Sequence, residues 1–225
     1  MASPRLSPRA RPSPHPWQQQ AAERALRENI IVSAETGAGK TLVALLAAQG
    51  ALATGKVAIM APSRLLAHQQ ADRASDFFAS PQVGDLGRQA RVVEVTGYTA
   101  SKWGKREWDD CRSRYDVFVG TPEIFRKALI DTAFLRVEEF SLFVVDECHH
   151  VSGKSDMAAL MALLHWDPQG ERRRPHARVR VLGLTASIVK CRAEDRARFE
   201  RDRQRLVDAM QANIEACAAP PRAPP

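Results

Sequence analysis

The chain has 225 residues, 44% apolar and 26% charged, a balance that excludes a disordered or low-complexity protein and fits one sizeable core. No run approaches the roughly 18 apolar residues of a membrane span, and the start lacks a secretory apolar core; no membrane partner and an intracellular residence are expected. The net charge of +7 sits in Arg5, Arg9 and Arg11 and in the five arginines of "ERRRPHARVR", so basicity alone supports a nucleic-acid partner only weakly.

In chain order, residues 1–15 form a basic, Pro-rich tail that is expected to be disordered. Its acid-free, Ser-containing pattern also fits an organelle transit peptide. The prolines break the amphipathic helix of such peptides, which favours cytoplasm or nucleus. Apolar periodicity then predicts a helix at 18–28, a strand at 30–34, a helix at 40–53, a strand at 56–61, a helix at 63–79 and a strand at 91–95. After a less regular stretch come a strand at 116–119, a helix at 122–131 and a strand at 141–145. A helix at 156–165, a strand at 179–184 and a charged helix over about 193–216 follow, then a Pro-rich tail at 218–225. Short all-apolar strands alternating with helices imply an α/β fold, a mostly parallel sheet with helices on both faces.

The stretch "AETGAGKT", Ala34 to Thr41, joins a strand to a helix. A glycine-bearing turn there points several unpaired backbone N–H groups at one place, which is a cradle for phosphate oxygens. Thr36, Gly37, Ala38 and Gly39 form the cradle, Lys40 reaches the β- and γ-phosphates, and the Thr41 hydroxyl ligates Mg²⁺. Ala34 stands where the strict phosphate-loop pattern has glycine. "SLFVVDECHH" places Asp146 and Glu147 at the C-terminal end of an apolar strand, the edge at which parallel sheets bind ligands. Asp146 can hold Mg²⁺ and Glu147 can orient the water that attacks the γ-phosphate. Cys148, His149 and His150 are all metal-ligand types, but adjacent residues rarely converge on one tetrahedral ion. The four cysteines, Cys111, Cys148, Cys191 and Cys217, form no C-x-x-C pair and read as reduced thiols.

With "DECH" after a strand and "AETGAGKT" upstream, the chain resembles the superfamily 2 DExH helicases, in which an alanine at the first loop position is ordinary. "PWQQQAAERAL" resembles their adenine-reading Q motif, with Trp17 and Gln18 as the aromatic and the amide. "APSRLLAHQQ" resembles motif Ia, "GTPE" motif Ib and "GLTAS" motif III. Within the superfamily the chain is most similar to the N-terminal RecA-like helicase domain of Dicer and Dicer-like proteins. Trp17-Gln18 ahead of "ENIIV", the pair Trp103 and Trp108 ahead of "YDVFVGTPE", and "DECHH" followed by "VLGLTAS" carry that likeness. Trp103 and Trp108 also read as packing aromatics.

The resemblance implies a P-loop NTPase lobe at residues 16–190 with ATP and Mg²⁺ as cofactors, and 191–217 as the start of a connector. It implies Lys40, Asp146, Glu147 and His149 as catalytic residues and Gln18 as the adenine reader. Pro62, Ser63, Arg64 and Thr121 would contact an RNA backbone, expected to be double-stranded. His149, Thr185 and Ser187 would couple nucleotide to RNA. Too few residues follow Ser187 for the second RecA-like domain of such helicases, so that partner is expected in cis or in trans. Two other readings fit the same residues: a non-catalytic nucleotide-, RNA- or partner-binding module, and a lobe of a DNA translocase.

Overall fold

The computed structural model describes residues 13–79, 89–151, 154–165, 179–187 and 196–216. Most of the N-terminal tail, the arginine-rich stretch up to residue 178, Cys191, Cys217 and the C-terminal tail lie outside these residues.

Among the described residues seven strands make one sheet: β1 (Ile30–Ser33), β2 (Lys56–Met60), β3 (Val92–Val95), β4 (Val117–Gly120), β5 (Phe140–Asp146), β6 (Arg180–Thr185) and β7 (Asn213–Ala216). Their spatial order is β3-β4-β2-β5-β6-β1-β7, and every pairing is parallel. Eight α-helices among the described residues cover it: α1 (Pro16–Ala25), α2 (Lys40–Ala51), α3 (Arg64–Ala79), α4 (Gly97–Ala100), α5 (Lys105–Arg114), α6 (Pro122–Arg126), α7 (Asp156–His165) and α8 (Arg196–Met210). This is the doubly covered parallel sheet the apolar strands imply.

Successive side chains of a strand point to opposite faces, so an all-apolar strand feeds two cores. Leu142 and Val144 of β5 pack with Ala21, Val43, Ala74 and Phe78 of α1, α2 and α3. Phe143 and Val145 pack with Trp108, Phe125, Leu160 and Met210 of α5 to α8.

Three stretches differ from the sequence pattern. The less regular segment holds α4 and α5; α5 buries only Trp108 and Cys111 of its ten residues, too narrow a stripe for periodicity to register. Trp103 and Trp108 meet edge to face at 5.2 Å, which places the pair in packing. The helix over 122–131 is α6 followed by a π-helical turn, Lys127–Asp131, closed by the Thr132 N–H donating to the Lys127 carbonyl at 2.9 Å. Arg126 ties this turn to α7 through Asp131 at 2.7 Å and Asp156 at 2.6 Å.

The charged helix does not run to residue 216. Gln211 has φ +44°, which ends α8, and Asn213–Ala216 pairs with β1 as the edge strand β7. The open edge of β1 offers unpaired backbone groups, and "NIEA" supplies a partner for them. Leu206 and Met210 of α8 are fully buried in the second core. We expect Leu206→Ala and Met210→Ala each to cost about 2–5 kcal/mol in urea unfolding. Unchanged stability in both variants would mean that α8 is a detached connector.

Candidate functional site

Strand register decides which loops meet. Ser33 lies opposite Thr185, and Leu184 lies opposite Asp146. The C-terminal ends of β1, β6 and β5 therefore arrive side by side at one edge. Met60 pairs with Val145 on one side and Gly120 on the other, so β2 and β4 continue that edge beyond β5.

The loop after β1 turns on two glycines in the left-handed region, Gly37 at φ +85° and Gly39 at φ +92°. A Cβ on Gly39 would lie 2.3 Å from Nε2 of Gln18, so a side chain there would displace the Gln18 amide. Gly39 precedes α2, whose first residues are Lys40 and Thr41. The Lys40 ammonium donates to the carbonyls of Ala34 at 2.6 Å and Glu35 at 3.0 Å. Thr36 and Gly37 are exposed, while Ala38 and Thr41 are half-buried.

Gln18 is buried in the first turn of α1 and is bonded at both ends of its amide. Its Nε2 donates to the carbonyls of Ala38 at 3.2 Å and Gly39 at 3.4 Å, and its Oε1 accepts the His15 N–H at 2.8 Å. The structure thus seats the expected adenine reader on the phosphate loop itself. An amide has two N–H groups and two acceptor lone pairs, so capacity for a ligand remains.

Asp146 is the last residue of β5. Its Oδ1 accepts the Glu147 N–H at 3.0 Å and its Oδ2 accepts Nε2 of Gln70, also at 3.0 Å. Burial pushes its carboxyl above the usual range, and the Glu147 charge adds to the rise. The bonds from Gln70 and Glu147 and the charge of Lys40 oppose it. Gln70 ends the stretch that resembles motif Ia, yet the sequence assigns it no role; its signal is a glutamine on the otherwise apolar stripe of α3.

Glu147 has φ +50°, an unusual backbone for a residue with a Cβ, costing roughly 1–2 kcal/mol. That turn opens a short 3₁₀ segment, Cys148–His150. Glu147 Oε2 lies 3.2 Å and Thr185 Oγ1 2.9 Å from Nδ1 of His149. Thr185 donates its single hydroxyl hydrogen to the Ser187 carbonyl at 2.6 Å, and accepts the Ser187 N–H at 3.2 Å. Nδ1 of His149 is therefore the donor toward Thr185. His149, Thr185 and Ser187 form one connected chain with Glu147. Burial first, and then the neighbouring carboxylates, push the Cys148 thiol far upward, so it stays protonated as a packing group under β6.

The remaining site residues sit further along the edge. Ser63 opens α3, its Oγ accepting the Leu66 N–H at 3.3 Å, with Pro62 and Arg64 exposed beside it. Thr121 caps α6 after β4 and is buried. The acidic pair lies between these residues and the phosphate loop.

The DEAD/DEAH box helicase family matches this sequence over residues 15–194. The chain belongs to that family. Endoribonuclease Dicer homolog 2 of Arabidopsis thaliana is 30% identical over 212 residues, covering 89% of this chain and 14% of that protein. Endoribonuclease dcr-1 of Caenorhabditis elegans is 30% identical over 217 residues, covering 92% of this chain and 10% of that one. The helicase chain thus spans a small part of the Dicer proteins it matches. The Pyrococcus furiosus Hef helicase domain superposes with a TM-score of 0.69 at 24% identity, covering 91% of this chain and 38% of that chain, a likeness of fold. No helix among the described residues of this helicase chain is long and apolar enough to cross a membrane.

Raised by burial, the Asp146 carboxyl binds its proton more tightly in the folded than in the unfolded helicase chain. The stability it contributes is complete below the ordinary value of 3.8 and is lost as pH rises through the higher folded value. Without metal and nucleotide, Asp146→Asn should therefore gain on wild type as pH rises from about 4 to 7. Urea unfolding across that range checks this; a constant difference between the two proteins would contradict it.

Proposed function

We propose that this chain is the ATP- and Mg²⁺-binding first lobe of a Dicer-like DExH RNA helicase. It would couple ATP hydrolysis to binding of, or movement on, double-stranded RNA in RNA processing or silencing. A second RecA-like lobe, in cis or in trans, would close the site. The observation that carries this reading is the placement of the loop around Lys40 and the acidic pair Asp146 and Glu147 on one sheet edge, near enough for the Lys40 charge to act on Asp146.

The residues present fit the nucleotide and its metal. The left-handed turns at Gly37 and Gly39 form a loop that leads into the start of α2, and the Thr41 hydroxyl and Asp146 carboxylate are the hard oxygen donors that suit Mg²⁺. When bound, the metal neutralises charge on the β- and γ-phosphates. Backbone N–H groups of residues 37–41 cradle the phosphates at the start of α2, where the helix dipole favours anions. Lys40 exchanges its bonds to the Ala34 and Glu35 carbonyls for phosphate oxygens, which are stronger charge-assisted partners. Glu147 orients and accepts a proton from water. Gln18 links the adenine side to the loop. His149 carries changes at Glu147 to Thr185 and Ser187. Pro62, Ser63, Arg64 and Thr121 offer N–H groups, hydroxyls and charge to an RNA backbone independently of base sequence.

ATP turnover by the chain should be stimulated by duplex RNA, though about 10³-fold or more below a closed two-lobed enzyme that supplies an arginine finger. Lys40→Ala should cost about 10²–10³-fold and Glu147→Gln about 10²–10⁴-fold in that turnover. Tight binding without turnover would instead support the non-catalytic module. Stimulation by duplex DNA but not duplex RNA would support the DNA translocase.

A further inference from the structure

The buried stripe of α3 consists of Ala67, Gln70, Ala71, Ala74, Phe77 and Phe78. Five of these are apolar; the sixth is a carboxamide that is only 8% exposed. Burying such a group without a hydrogen-bond partner opposes folding, so its presence on this face needs a reason beyond packing. The reason on view is Asp146, whose Oδ2 accepts the Gln70 Nε2–H at 3.0 Å. The other oxygen, Oδ1, accepts the Glu147 N–H at 3.0 Å.

One donor on each oxygen fixes rotation about the Asp146 Cβ–Cγ bond. Each oxygen keeps a lone-pair direction free for a metal-bound water. The choice of glutamine follows from charge. A lysine or arginine at this position would hold the carboxylate equally well but would repel an incoming cation. A glutamate would repel the carboxylate, and an apolar residue would leave Oδ2 buried without a donor. A neutral N–H orients Asp146 and leaves its full negative charge to the cation.

We propose that Gln70 is a positioning residue of the metal site, holding the Asp146 carboxylate in the orientation that receives the hydrated Mg²⁺ of a bound nucleotide. This rests on the ATP and Mg²⁺ reading above. Gln70 also ties that carboxylate to the helix that opens beside Pro62, Ser63 and Arg64, the residues placed on the RNA-facing edge.

The test titrates a fluorescent ribose-labelled ATP analogue into the full chain, first in EDTA and then at stepped Mg²⁺ concentrations. Phosphate-loop binding in EDTA is expected to be the same for wild type and Gln70→Met, which matches the glutamine in length and suits an apolar stripe. The Mg²⁺ concentration giving half of the metal-dependent gain should rise about 10–100-fold in Gln70→Met, the usual effect of losing a partner of a metal ligand. Excess Mg²⁺ should then restore binding. Gln70→Glu, which sets a second carboxylate against the first, should lose more. Should Gln70→Met not fold, Gln70→Asn keeps the amide and shortens its reach, and is expected to show the same shift in Mg²⁺ requirement. An unchanged Mg²⁺ requirement in a folded variant overturns the proposal. So does an equal loss of affinity in EDTA and in Mg²⁺, which would make the role purely structural. A wild-type chain whose nucleotide binding ignores Mg²⁺ removes the functional reading itself, an outcome distinct from a variant that matches a metal-dependent wild type.

Discussion

A parallel strand cannot return through a tight turn; each must be followed by a crossover before the next begins, so all strands deliver their C-terminal ends to one edge. Everything proposed for this protein depends on that constraint. Strand order then converts distance along the chain into neighbourhood in space. Because β6 lies between β1 and β5, Thr185 stands between the loop that carries Lys40 and the turn that carries Asp146 and Glu147. The relay from Glu147 through His149 to Thr185 and Ser187 is possible only in that order. On the other side of β5, β2 and β4 bring Ser63, Arg64 and Thr121 to the same edge. The acidic pair thus has the phosphate loop on one flank and the proposed RNA-facing residues on the other.

Putting an acid at the end of a buried strand opposes stability. Burial works against the charged form of Asp146, and the turn that follows forces Glu147 into the left-handed region. These are local conflicts of the kind that folded proteins retain where chemistry needs them. The fold limits them with donors, the Glu147 N–H and the Gln70 amide, and with the charge of Lys40 acting without a direct bond. Neutral donors orient the carboxylate without cancelling its charge, which suits the cation site proposed for it.

The parts legible in the sequence were those in which one residue type announces its backbone or its chemistry. Gly37 and Gly39 announced left-handed turns, Lys40 and Asp146 announced charge at strand ends, and the strands announced themselves by unbroken apolar runs. The parts that were not legible depend on partners distant in the chain. Ile214 looked like one more apolar residue on a helix, because nothing local shows that β1 has an open edge beside it. α5 hid behind its salt-bridged surface, with Lys105 to Asp109 and Arg114 to Asp110 pairs covering a stripe of two residues. Gln70 hid because a glutamine on a helix is ordinary until its face is known to be buried. Gln18 was legible as a functional amide, but its bond to the loop requires the packing of α1 on α2.

The phosphate loop itself is held unevenly, and this bears on how a triphosphate enters it. The side near α1 is fixed, since Gln18 binds the Ala38 and Gly39 carbonyls and closes the space beside Gly39. The side near β1 is held by Lys40, which bonds the Ala34 and Glu35 carbonyls. Phosphate oxygens are stronger acceptors for an ammonium than neutral carbonyls are, so on the proposed reading a triphosphate would compete with those carbonyls for Lys40. The Ala38 N–H also donates to the Glu35 carbonyl at 3.1 Å, and Gln18 holds Ala38 and Gly39 in register with the start of α2. The two left-handed glycines therefore sit in different surroundings: Gly39 lies against the Gln18 amide of α1 where the helix begins, and Gly37 lies in the exposed part of the loop between the Lys40 and Gln18 anchors.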